Sequence, residues 1–276
     1  MTVPPSPSDP WSAVATDWSR FQSPFRPHRD DTAVIERVAR TLHESRGSLD
    51  AAILGLTIET ATWPWPNDTR LCAFDSSVDA IAILWPPPEA PPGAAAKLAQ
   101  WTALPVADGA LDLVTADGSL VCVDYPAGAR ALFEEVRRVL RPGGRFVART
   151  FLRPGRAETL AEILEDLEQG RIHNPFVLKL RVDAALHEGL SGFSMHEKWL
   201  LWRRLFPDQE ATARRFGWPL RTFALPASFE TQDLRFVYPT IDELRAIFSP
   251  LFREMELCVG SYELAERCPT LVLEPR

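Results

Sequence analysis

The chain is poor in anything that crosslinks. Only four of its 276 residues are cysteine, and Cys72, Cys122, Cys258 and Cys268 form no Cys-x-x-Cys spacing. Cys72, Cys258 and Cys268 fall in strand-like runs. They read as reduced core thiols of a cytoplasmic protein, with a Cys258–Cys268 bridge across a hairpin as the alternative. His187 and His196 lack carboxylate or cysteine partners at metal-ligand spacing, so no metal site is expected. No apolar run approaches the roughly 20 residues that span a bilayer. Residues 1–10 lack the basic-then-apolar order of a signal peptide, so no membrane partner is expected either. Positive charge is not in excess: 30 Lys and Arg face 37 Asp and Glu, for a net charge of −7 and a pI of about 5.4. That removes a global attraction to nucleic acid. No Gly-x-Ser-x-Gly elbow and no Ser-His-Asp arrangement is legible, which argues against a serine hydrolase. A Gly-x-Gly-x-x-Gly turn is also missing, which argues against a nicotinamide dehydrogenase. Proline, by contrast, is abundant at 25 residues. Its clusters at residues 4–10 and 86–92 mark loops, and the hydrophobic share of 46% fits a globular protein.

The most informative stretch is residues 102–149. Asp108-Gly109 is a turn signal, and residues 110–116 are a short apolar run suited to a strand buried on both faces. Residues 128–140 place Leu132, Val136, Val139 and Leu140 on one helical face, with Arg137, Arg138 and Arg141 gathered at its C-terminal end. Pro142 cannot continue that helix, and Gly143-Gly144 turns the chain into a strand over residues 145–150. Strand, crossover helix and strand make one βαβ unit.

The wording of these residues adds more. Leu104-Pro-x-x-Asp-Gly-x-x-Asp-Leu-Val114, followed by Arg138-Val-Leu-Arg-Pro-Gly-Gly-Arg-Phe-Val147, resembles the second half of class I S-adenosylmethionine (SAM)-dependent methyltransferases. The resemblance implies a doubly wound, Rossmann-like α/β sheet of order 3-2-1-4-5-7-6 with strand 7 antiparallel. It also implies SAM as cofactor and methyl transfer as activity. The family normally places a glycine-rich turn after the first strand. Here residues 50–56 form that strand, and only Gly55 remains in Gly55-Leu56-Thr57-Ile58-Glu59-Thr60. This is similar to a subgroup whose turn reads Leu-Gly-x-Thr-x-Glu. In that role Gly55 and Thr57 approach the amino-acid end of the cofactor, with Thr57 capping a short helix.

The second strand, residues 70–75, ends in Asp75-Ser76-Ser77. An acidic side chain about 20 residues after the first turn can accept both ribose hydroxyls, and it can equally cap the helix over residues 77–85. A third strand is expected at residues 97–101. Gln100 matches the position from which the family accepts the adenine amino group, and Trp101 could stack on the base; both could equally be structural. The strand over residues 110–116 delivers Asp117, Gly118 and Ser119 to the crevice at the carboxyl ends of the sheet, beside the methyl group.

Methyl transfer from a sulfonium needs positioning and dryness above all, and a base only if the acceptor must lose a proton. The candidates are Asp117, His28, His173, His187 and His196, none distinguished from surface or packing residues by sequence. Four segments follow. Residues 1–29 are an N-terminal part, its first ten a leader and its aromatics Trp11, Trp18, Phe21 and Phe25 either a lid or simple packing. Residues 30–150 are the SAM-binding core, opening on a helix capped by Asp30-Asp31-Thr32. Residues 151–237 are a helical insertion after strand 5, with matched acidic and basic residues and a surplus of aromatic surface suited to an apolar acceptor or a homodimer interface. Residues 238–276 are a helix and hairpin that complete the sheet. The expectation is a methyltransferase acting on a small-molecule acceptor, with a catalytically silent binding or assembly protein as the alternative.

Overall fold

The computed structural model describes residues 10–232 and 234–276; the first nine residues of the expected leader lie outside them. Its strands are β1 Leu49–Leu54, β2 Thr69–Asp75, β3 Ala95–Leu98, β4 Leu111–Asp117, β5 Leu140–Arg149, β6 Phe193–Ser194, β7 Arg235–Phe236, β8 Phe252–Cys258 and β9 Thr270–Pro275. Its α-helices are α1 Pro10–Thr16, α2 Arg29–Arg46, α3 Ile58–Thr62, α4 Val78–Leu84, α5 Ala127–Val139, α6 Leu160–Glu168, α7 Pro175–Leu186, α8 Met195–Leu205, α9 Gln209–Arg215, α10 Leu220–Phe223 and α11 Ile241–Phe248. The main sheet runs β3-β2-β1-β4-β5-β9-β8. β9 is antiparallel to both neighbours, and the pairs among β1 to β5 are parallel. This is the doubly wound, Rossmann-like order expected from the sequence.

The period-2 alternation of the central strands sorts the core into two layers. Ala51 and Ile53 of β1 face α2, where Val34, Ile35, Val38, Ala39 and Leu42 meet Leu71, Leu113 and Val272. Ala52 and Leu54 face the other way, toward Leu132, Phe133 and Val136 of α5 and Leu244, Ile247 and Phe248 of α11. Phe133 stacks edge-on against Phe146 and Phe252, at 5.8 and 5.9 Å between centroids, so truncating it to alanine would cost about 3–5 kcal/mol. A charged brace closes the amino ends of the strands. Fully buried Asp112 accepts from Arg46 and Arg141 at 2.5 and 2.9 Å and from the Asp50 amide at 2.8 Å. That brace fixes the edge opposite the functional one.

Several boundaries moved. The cap of α2 is His28, not Asp30-Asp31-Thr32. Its ring accepts the Asp30 amide, and Asp31 accepts the His28 amide at 2.8 Å, a reciprocal box in which an imidazole nitrogen is the acceptor. β3 ends at Leu98, so Gln100 and Trp101 stand in the loop beyond it. β5 starts at Leu140, directly after α5, because residues 141–144 are a bulged strand entry and not a free loop.

The insertion carries α6 to α10 as a helical unit. Asn174 caps α7 on two amides, and Pro175 takes the first helical position. The antiparallel pair β6–β7 was not foreseen, since two-residue strands leave no periodic signal. One insertion core holds Ile163, Leu178, Val182, Trp202 and Phe223. A second joins it to the sheet through Val121, Phe151, Leu180, Phe193 and Tyr238.

Candidate cofactor and acceptor pocket

The carboxyl ends of β1, β2 and β4 open into one pocket that continues under the insertion. Its free space, open mouth included, is about 1280 Å³.

β1 ends in Gly55, at φ +95°. That conformation is what requires glycine here, since an added Cβ would meet Ser119 Oγ and Trp101 Cζ2 only at 3.5 and 3.7 Å. Leu56, which follows, packs into the core layer under α2. Thr57 holds the N-cap position of α3, but its hydroxyl makes no cap bond; instead Thr60 donates to the Thr57 carbonyl at 2.7 Å. The expected capping role is therefore not seen.

At the end of β2, Asp75 accepts the Ser77 amide at 2.8 Å, and Ser77 caps α4 by accepting the Ala80 amide at 2.9 Å. The cap is Ser77, and Asp75 and Ser76 line the pocket. The Trp101 indole donates to the Phe74 carbonyl at 2.7 Å, which holds its ring in the pocket wall. Gln100 does not share that wall; it bridges back to Ala103. At the end of β4, Gly118 sits at φ +71° and the Ser119 hydroxyl donates to the Leu54 carbonyl at 2.6 Å. Eight of the nine positions expected to meet the cofactor thus converge on one cavity, and Gln100 is the exception.

Asp117 is engaged. Arg149, 3% exposed, donates to it at 2.5 Å and to the carbonyls of Pro24 and Phe25 at 2.6 and 3.1 Å. Burial works against the Arg149 charge, but Asp117, joined by Asp31 and Tyr262, holds the guanidinium above its ordinary pKa. The sequence reading gave Arg149 no role. Its signal is an arginine directly after the apolar run Phe146-Val147-Ala148.

The histidines proposed as bases stand away from the lining. His28 caps α2. His173 is exposed beside Glu263. His196 sits at the surface against the Glu230 carbonyl at 2.5 Å. Burial pushes His187 down to about 4, and its neutral Nε2 accepts the Tyr238 amide at 2.9 Å.

The N-terminal segment forms one wall. Trp11, Trp18, Phe21 and Phe25 line the pocket, and Phe21 and Phe25 stack on Phe176 of α7 at 5.4 and 5.8 Å. Glu59 of α3 accepts from the Trp18 indole at 3.2 Å and pairs with Arg26, tying this wall to the glycine turn. The far wall holds Lys179, Asp183, Lys198 and Tyr238, which the sequence reading overlooked. Their signal was in α7: residues 175–184 are all buried, so a Lys and an Asp four apart there lack a polar face to occupy.

A family model described as "Methyltransferase domain" matches residues 67–148, the stretch from the start of β2 to the end of β5. A malonyl-[acyl-carrier protein] O-methyltransferase from Hahella chejuensis is 33% identical over 139 residues, covering 45% of this chain and 43% of that protein. The match therefore spans less than half of the relative. Among solved structures, a SAM-dependent methyltransferase from Methanosarcina mazei is similar at TM-score 0.53 and 14% identity, over 90% of this chain and 98% of that one. A Rhodobacter sphaeroides structure described as a zinc-dependent alcohol dehydrogenase reaches TM-score 0.58 at 15% identity, over 97% of both chains. At such identities these two speak for the fold alone. The strand order, the pocket at the carboxyl ends of β1, β2 and β4, and the domain match over residues 67–148 agree with the resemblance of residues 104–147 to the class I, Rossmann-like SAM-dependent methyltransferases.

Proposed function

We propose that this chain transfers a methyl group from SAM to a small organic acceptor enclosed between the sheet, the N-terminal segment and the insertion. The observation that carries the reading is that the cofactor edge and the aromatic chamber are one cavity. The residues fit the cofactor. A carboxylate at the end of β2 suits the ribose hydroxyls, the Gly55 backbone suits the amino-acid end, and the fixed Trp101 ring offers a face for the base. The bound sulfonium supplies an electrophilic methyl with a good leaving group, so the protein's part is positioning and dryness. The described part of the N-terminal segment, residues 10–29, serves as the lid in this reading: Arg149 and Glu59 hold Pro24, Phe25, Trp18 and Arg26 in place, and the aromatics between them keep water out. Residues 151–237 serve as the acceptor cover. None of the histidines is placed to take a proton, so the acceptor reacts without a histidine base.

An acyl group delivered on a carrier protein is a second reading, favoured by the Hahella chejuensis relative. In both readings Asp75 is the ribose ligand. Asp75→Ala should weaken binding of S-adenosylhomocysteine, the demethylated cofactor, at least tenfold, about 1.4 kcal/mol, by calorimetry. Unchanged affinity in a folded variant would overturn the assignment. No heat of binding to the wild type would overturn the function itself.

A further inference from the structure

The insertion side of the cavity holds more positive charge than the fold requires. Lys179 and Asp183 come from α7 and Lys198 from α8; they are 3%, 1% and 4% exposed, and all three line the pocket. Burying even one unpaired ammonium is costly, and buried charges are normally matched one to one. Here the matching is incomplete. Lys198 pairs with Asp183 at 2.7 Å, and the Tyr238 hydroxyl donates to the same carboxylate at 3.1 Å. That pair is neutral. At the neighbouring edge Asp117 is matched by Arg149. Lys179 is left over. Its ammonium has three donors, and among the described residues its hydrogen-bond acceptor is the Thr222 carbonyl of α10. The remaining neighbours are ring faces: Phe176 at 4.8 Å and Trp202 at 5.6 Å.

We propose that Lys179 is the anchor for an acidic acceptor: a small aromatic or apolar carboxylic acid whose carboxylate docks against Lys179, with its body among the aromatic residues of the chamber. The proposal rests on the methyltransferase reading of the pocket and names its substrate class. Three observations point the same way. The surplus is one positive charge, which one carboxylate would neutralise. Phe25, Phe151 and Phe176 give the walls an apolar character that selects for the acid's hydrocarbon part. Burial, and next the charge of Lys198, hold the Lys179 ammonium well below the usual lysine range, against the pull of Asp183. An arriving anion offsets both and favours the charged amine. The groups facing it are thus Lys198, Asp183, the Thr222 carbonyl and the two rings, and no other carboxylate competes for it among them.

The test uses the full-length protein saturated with S-adenosylhomocysteine. Benzoate, indole-3-acetate and 4-hydroxycinnamate are each compared with their primary amides at millimolar concentration, reading the melting temperature. At least one acid should add about 2 °C or more beyond the cofactor product alone, and its amide should add less than half of that. In Lys179→Gln, which keeps a donor for the Thr222 carbonyl, the acid should fall to the level of the amide while the shift from S-adenosylhomocysteine persists. Amides matching acids, no acid shifting the melt, or an undiminished acid shift in Lys179→Gln would each overturn the proposal. Should that variant fail to fold, Lys179→Met replaces it. Loss of the acid shift there supports Lys179 as anchor, and an undiminished shift overturns it. Loss of the S-adenosylhomocysteine shift itself would indict the methyltransferase reading instead.

Discussion

Arg149 binds a carboxylate and two carbonyls with one guanidinium. That arrangement decides the role of Asp117, which by position alone looked like a proton acceptor. A carboxylate locked to a buried arginine is a structural partner first. Removing one member leaves the other charged, buried and alone, which costs about 3–5 kcal/mol. Arg149→Met and Asp117→Leu should each lower stability by about 3 kcal/mol in urea melts. The double variant Asp117→Leu with Arg149→Met should recover part of that loss and not all, because the Pro24 and Phe25 carbonyls still lose their donor. Additive losses in the double variant would mean the pair is not coupled. Residues such as Gly55, Asp75 and Gly118 were legible because a parallel sheet delivers loop residues to one edge whatever their side chains do. Arg149, Lys179 and Lys198 were not, because burial of a charge is a property of the packed neighbours. Sequence spacing cannot show that α8 lays Lys198 against Asp183.

Among the elements, the crossover helix α5 and the strands β1, β2 and β4 were legible from local pattern, while the caps of α2 and α3 were not. Thr240-Ile241-Asp242-Glu243 forms a reciprocal box at the start of α11, with Thr240 and Glu243 exchanging amide bonds at 2.8 and 3.2 Å. Asn174 caps α7 and Pro175 opens it, again through local chemistry. Elements set by tertiary pairing, such as β6–β7 and the early start of β5, were missed. The α11 box also reaches beyond itself. Glu243 accepts from Arg153 through both oxygens at 2.5 Å, where the chain leaves β5 for the insertion. That hydrogen-bonded pair lowers the Glu243 pKa from its usual value to about 2. A depressed carboxyl stabilises the fold fully above its unfolded value near 4.3 and loses that contribution as pH falls toward about 2. Because Glu243 is partly exposed, solvent screening reduces the effect, and Glu243→Gln should cost about 1–2 kcal/mol at neutral pH. The gap to wild type should narrow steadily below about pH 5. A gap that stays constant down to acid pH would show that shape, and not charge, holds the pair.

The whole molecule follows from how the insertion is attached. An independent acceptor domain would keep its apolar contacts to itself and meet the sheet through polar surface. Here Val121 and Phe151 from the sheet side share a core with Leu180, Phe193 and Met195 of the insertion. Phe25 of the N-terminal segment packs on both Phe151 and Phe176. Tyr238, fully buried, joins Phe151 to Asp183. The pocket lies on this seam, so no part can melt without opening it. The chain should therefore unfold in a single calorimetric transition although its sequence divides into four segments. S-adenosylhomocysteine at about 100 times its Kd should stabilise the whole by about 2.7 kcal/mol. That moves the single melt by roughly 5–8 °C for a chain of this size. Two transitions, with only the first moved by the ligand, would mean that the insertion folds apart from the sheet and that the shared core contributes little. A single transition moved as a unit would mean that cofactor binding and acceptor enclosure draw on the same cooperative structure.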